Sequence, residues 1–318
     1  MNPPSPRLRQ TSRPSLQDER RRTSWRIGSV PYLNARPLIY GIEDKATLCT
    51  PSRLADLLHR RQFDVGLVPV AEILLHDQYD IADGIAIASR GPVASVFLVH
   101  RVPVEQIKRV AVDPASRSSA WLVRVILKYG YRVEPEFYPL AGAPKLSDHE
   151  AMMLFGDGAI WYRHRNGDDS LLDLGEAWTE MTGLPFVFAA WAVQRGVERR
   201  AWSVERQGSG ETTATETVTA RTIRRSAVAD REFANDGSGG GVSELMDALR
   251  RAKADGLAHV GEIVQESTEG TAEFRREYLT RNVVYDLGER EKQGIRRFQQ
   301  YLKEMGLIGA AHDLRYVS

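Results

Sequence analysis

One cysteine, Cys49, is all that the 318 residues contain, so no disulfide can staple the chain to itself, and a reducing compartment is expected. No apolar run approaches the ~18 residues of a membrane-spanning helix. Lys and Arg number 43 against 42 Asp and Glu, a formal net charge of +1, so no global field demands a nucleic acid or a membrane as partner. The seven histidines are scattered, and no Cys or His cluster has the spacing of a zinc site. A Walker loop, a G-x-G-x-x-G turn behind a strand, an H-E-x-x-H helix and a nucleophile elbow are all missing, so neither a cofactor nor a metal is indicated. Residues 1–24 hold six Arg beside Asp18 and Glu19, among Pro and Ser. They lack the apolar stretch of a secretory signal. They read as a disordered, solvated tail, and a cytoplasmic location is expected.

What is present is an α/β pattern from Arg26 to Val193. "DVGLVPV" (64–70), "ASVFLVH" (94–100), "RVAVD" (109–113) and "AMMLFGD" (151–157) are short apolar runs that predict buried strands. Thr50-Pro51 predicts a helix start with Leu54, Leu57 and Leu58 on one face. The stretch 118–128 is apolar nearly all round and predicts a deeply packed helix, and "DLGEAWTEMTG" (173–183) predicts another, stopped by Gly183 and Pro185. Residues 207–241 are rich in Gly, Ser, Thr, Glu and Arg, without apolar periodicity, and read as a flexible insertion. Beyond it, Leu245, Met246 and Leu249 mark one amphipathic helix, and Ile295, Phe298, Leu302 and Met305 mark a second. The expected organisation is a tail at 1–24, the first part of lobe 1 at 25–94, lobe 2 at 95–189, and a return to lobe 1 with C-terminal helices at 190–318. A ligand cleft is expected between the lobes, at strand ends.

Four constellations carry polar groups to such strand ends. In "SVPYLNARPLIYG" (29–41), Tyr32 and Asn34 follow a strand-like run; the amide either serves a ligand, since it donates and accepts, or caps the next helix. In "SRGPVAS" (89–95), Gly91-Pro92 breaks the chain before an apolar strand that opens at Ser95; that serine faces a cleft or simply alternates outward. In "DPASRSSAWLV" (113–123), Ser116, Arg117, Ser118 and Ser119 precede a strong helix. Free N–H groups with three hydroxyls suit an anion better than a plain cap needs, while Arg117 either binds a carboxylate or braces the lobes. In "FGDGAIWY" (155–162), Gly156 and Asp157 permit close backbone approach.

Taken in order, "RIGSVPYLNARPLIYG", "FDVGLVPVAE", "GPVASVFLV", "DPASRSSAWLV", "LFGDGAI" and "DLGEAWTEMTGLPFVFAAWA" resemble the chorismate dehydratase family of the futalosine route to menaquinone. The resemblance implies a two-lobed α/β fold like a type II periplasmic binding protein, used as a lyase on the small molecule chorismate. It implies Asn34 and Ser95 as catalytic residues. Tyr32, Gly91, Ser116, Arg117, Ser118, Ser119, Gly156 and Asp157 are expected to bind substrate. No obvious general base stands among these residues, which favours a route in which the enolpyruvyl carboxylate of the substrate takes the proton. Arg90 departs from the acidic or small polar residue the family often has there. The paralogous 1,4-dihydroxy-6-naphthoate synthase and a non-catalytic small-anion receptor of the same fold are the alternatives, and fold alone does not separate them.

Overall fold

The structure is a computed structural model that describes residues 25–142, 144–167, 170–197 and 241–318. The expected tail and nearly all of the expected insertion lie outside the described residues.

The chain begins with β1 (Ile27–Ser29), a 3-10 turn (Leu33–Ala35) and α1 (Arg36–Ile39), then β2 (Ala46–Leu48), α2 (Pro51–His59), β3 (Val65–Pro69), α3 (Val70–Leu75) and β4 (Tyr79–Ser89). It crosses to a second sheet through residues 90–95. There follow β5 (Val96–His100), β6 (Arg109–Val112), α4 (Arg117–Val125), β7 (Glu136–Pro139), β8 (Ala151–Phe155), α5 (Gly156–Asn166), β9 (Leu171–Asp173) and α6 (Leu174–Thr182). β10 (Phe186–Gln194) returns to the first sheet, so the return strand starts slightly ahead of the expected boundary at 190. The C-terminal part supplies α7 (Val242–Ala258), α8 (Val260–Glu266), α9 (Ala272–Glu277), α10 (Glu289–Glu304) and β11 (Tyr316–Val317). Among the described residues the first sheet has six strands in the order β11-β4-β10-β3-β1-β2, and the second has five, β7-β6-β8-β5-β9.

Local chemistry accounts for most of these elements. Val65, Leu67 and Val68 in β3, and Val96 to Val99 in β5, are buried on both faces, as expected of strands covered by helices on either side. α2 starts with Pro51 at its first position, where the missing N–H costs nothing, and buries Leu54 and Leu58. α6 is capped by Asp173, whose side chain accepts from the N–H groups of Gly175 and Glu176, and stops at Gly183 in the left-handed region (φ 69°). The apolar stretch 118–128 forms α4 followed by a π turn (Ile126–Gly130), with Leu122, Val123, Val125, Ile126 and Leu127 buried. The two predicted C-terminal stripes bury Leu245, Met246 and Leu249 in α7 and Ile295, Phe298 and Leu302 in α10. α7 lies so close to α1 that a Cβ on Gly256 would collide with the backbone of Pro37, so only glycine permits that approach.

Candidate active site

A cleft opens between the two sheets and is lined from both. The first lobe walls it with Val30, Leu67, Ile87 and Phe188; the second contributes Val96, Phe155 and the polar groups of Ser95, Ser116, Ser118 and Ser119. Tyr32 and Asn34 enter from the loop behind β1.

Ser95 is held from both sides along the chain. Asp173 accepts hydrogen bonds from the N–H groups of Val93 and Ala94 at 3.0 and 2.8 Å, in addition to capping α6. Ala94 adopts φ +59°, a conformation that non-glycine residues rarely take without such support. The carbonyl of Ser95 then accepts from Gly156 N–H at 2.8 Å. Gly156 itself has φ +62°, and the Tyr32 ring lies where its side chain would point. Tyr32 also meets Phe155 edge to face, centroids 5.8 Å apart.

The hydroxyl of Tyr278 joins the two residues singled out from the sequence. Asn34 Nδ2 donates to it at 3.0 Å, and it lies 2.9 Å from Ser95 Oγ. An amide nitrogen only donates, so the Tyr278 oxygen accepts from Asn34 and its own proton goes to Ser95. The Ser95 proton and one N–H of Asn34, with its Oδ1, are left for the cleft. Asn34 is therefore not a helix cap: α1 begins after Ala35 with no side-chain cap at all. Tyr278 is fully buried, and that burial pushes its phenol well above the ordinary range, so it stays a neutral donor. Sequence reasoning missed it. Its contacts span 244 and 183 residues, and the only local signal is a tyrosine on the apolar side of "AEFRREYLTRN".

The start of α4 has the features of an anion site. Ser116 occupies the cap position but makes no cap bond. Among the described residues the hydroxyls of Ser116 and Ser119 have no protein partner, although both residues are nearly buried and line the cleft. Ser118 Oγ accepts from Ala71 N–H on α3 at 3.0 Å, tying the lobes together.

Three expected binding residues do not line the cleft. Arg117 turns to the first lobe, where Nη1 meets Glu72 Oε2 at 2.8 Å, the bracing role rather than the carboxylate clamp. Gly91 (φ +124°) serves the crossover turn instead. Asp157 sits behind Gly156 and accepts from Leu33 N–H at 3.1 Å, which fastens the Asn34 loop to the second lobe. Loss of water around the Asp157 carboxyl pushes it up to about 7, against the opposing pull of that N–H. Outside the cleft, Arg90 pairs with buried Glu291 of α10 at 2.8 Å.

Two α/β sheets, connected by two crossings and enclosing a cleft lined from both, define a periplasmic-binding-protein fold. A protein from Archaeoglobus fulgidus of known structure superposes with a TM-score of 0.61 at 16% identity, over 89% of this chain and 98% of that one. The periplasmic aliphatic sulphonate-binding protein of Escherichia coli gives 0.54 at 12% identity, over 92% and 93%. The chain belongs to the menaquinone biosynthesis family, whose profile matches residues 25–213. The chorismate dehydratase of Thermus thermophilus is 29% identical over 191 residues, 53% of this chain and 69% of that relative.

Proposed function

We propose that the protein is a chorismate dehydratase, a carbon–oxygen lyase that converts chorismate to 3-[(1-carboxyvinyl)oxy]benzoate and water. The observation that carries this reading is the pair of fixed donors, Asn34 and Ser95, held by one phenol and lining the same cleft as a serine-rich helix start whose Ser116 makes no cap bond. The similarity to the Thermus thermophilus enzyme supports the same reading. Chorismate offers a carboxylate for each end of such a cleft.

The C3 proton of chorismate is allylic to a double bond conjugated with the ring carboxylate. Its removal spreads charge toward that carboxylate; loss of hydroxide from C4 then makes the ring aromatic, which drives the reaction. The ring carboxylate rests at the start of α4, where the helix N–H groups, Ser116 and Ser119 stabilise the charge that develops there. Asn34 directs its free N–H at the enolpyruvyl carboxylate, which takes the C3 proton. Ser95 donates to the departing hydroxyl. Proton and hydroxide leave together as one water, so electrons balance without an oxidant. A side-chain carboxylate is not needed as base, and burial, which pushes the Asp157 carboxyl up to about 7, lessens its negative charge near neutrality beside a doubly charged substrate.

Incubation of the purified chain with chorismate tests the proposal. The expected product is aromatic, lighter by one water, and visible by ultraviolet absorbance and mass. Chorismate that binds and is returned unchanged would make the protein a receptor instead. Chorismate that does not bind would assign the cleft to another anion.

A further inference from the structure

The sequence shows no metal spacing, yet the fold gathers one. His59 ends α2, while Glu72 lies on α3 and His76 directly follows it. His76 Nε2 is 3.4 Å from Glu72 Oε1, and the His59 and His76 rings lie with centroids 4.4 Å apart. One atom from each of the three residues falls within 4.8 Å of the other two. None of the three lines the cleft.

A tetrahedral zinc ion with bonds of roughly 2.0–2.2 Å holds its ligand atoms about 3.3 Å apart. The Glu72–His76 pair already stands at that separation. His59 is exposed at a helix end, with its Nδ1 3.4 Å from Gln78 Nε2, so rotation of its imidazole exchanges that long contact for the ion and closes the remaining gap. Glu72 is the fixed member. It is buried, with Tyr79 Oη at 3.3 Å from Oε1 and Arg117 Nη1 at 2.8 Å from Oε2. Outer partners of this kind orient a metal-binding carboxylate.

We propose that His59, Glu72 and His76 form a binding site for a zinc-class divalent cation on the flank of the first lobe, with the fourth position left to water. The nearby Arg117 guanidinium opposes the ion, so binding is weaker than at a structural zinc site. The same carboxylate serves the cation through one oxygen and the lobe-to-lobe ion pair through the other.

Calorimetric titration of the whole chain with Zn²⁺ in a non-chelating buffer tests this, beside titration with Co²⁺, whose visible bands report tetrahedral geometry. One saturable site is expected. His59→Ala and His76→Ala should each weaken it by at least about tenfold. His164→Ala, on α5, should leave it unchanged. Circular dichroism checks that each variant is folded, and exposed His59 gives a variant with little to lose. Absence of saturable binding would overturn the site. Binding that persists in a His59→Ala/His76→Ala double variant would do the same by locating the ion elsewhere.

Discussion

The phenol of Tyr278 donates its proton to Ser95 Oγ across 2.9 Å while its oxygen receives Asn34 Nδ2. One buried ring thus sets the hydrogen-bonding direction of two cleft residues. Tyr278→Phe keeps the ring and removes that control. For the proposed dehydratase, kcat should fall by about tenfold or more with KM nearly unchanged, a share of what a lost preorganised donor costs. Stability should drop by only about 1 kcal/mol. Steady-state kinetics beside a denaturant melt separate the two effects, and an unaltered kcat would reduce Tyr278 to packing.

Asn34→Asp is nearly isosteric, so the fold should persist. An ionised carboxylate cannot donate to Tyr278 or to substrate, and it repels the enolpyruvyl carboxylate. Turnover should drop by roughly 10²-fold. Product absorbance measured beside a chorismate binding titration should reveal a bound but unreacted complex. Wild-type turnover would remove Asn34 from the mechanism.

At the start of α4 the expectation concerns affinity. Ser119→Asp places a negative charge where the ring carboxylate is proposed to sit, and KM should rise at least about tenfold by like-charge repulsion. Ser119→Ala should be far milder, since the helix N–H groups remain. Equal KM values in the two variants would move the carboxylate to another part of the cleft.

Asp157 gives a pH signature. Its folded carboxyl is pushed up to about 7 from an ordinary 3.8, chiefly by burial. Below the ordinary value both folded and unfolded chains hold the proton. Between the two values only the unfolded chain ionises, so this group's contribution to stability falls as pH rises, and the penalty is complete above the folded value. Asp157→Asn still accepts from Leu33 and cannot ionise. It should be more stable than wild type at about pH 8, with the advantage shrinking toward about pH 4. Melts across that range would show a constant difference if Asp157 were not the source.

Arg117→Ala leaves the Glu72 carboxylate, 2% exposed, without its charged partner. Arg117 is itself nearly half exposed, so the loss should be about 1–3 kcal/mol rather than that of a fully buried pair. A urea melt measures it. A change near zero would mean that His76 and Tyr79 satisfy Glu72 alone.

The parts of this molecule that sequence reasoning reached are those set by neighbours in the chain. The Thr50-Pro51 start, the Gly183 stop and the unbroken runs of β3, β5, β6 and β8 follow from local chemistry. Asn34, Ser95 and the serine-rich start of α4 stand out because strand ends rarely collect such groups by chance. β4 was not legible: Asp80, Asp83 and Gly84 interrupt "YDIADGIAIAS", and only pairing with β10 and β11 makes it a strand. Tyr278 and the His59–Glu72–His76 cluster escaped for a related reason, since three-dimensional packing brings together what the chain holds apart. Arg117 has two chemically reasonable partners in sequence, and the position of α3 selects Glu72.

The dependence of Ser95 and Asn34 on Tyr278 also orders events during synthesis on the ribosome. Both sheets draw nearly all their strands from residues up to Gln194. Tyr278 comes off the ribosome after every strand that carries the cleft, so the Asn34 amide and the Ser95 hydroxyl gain their fixed direction only once the later segment bearing that phenol has docked.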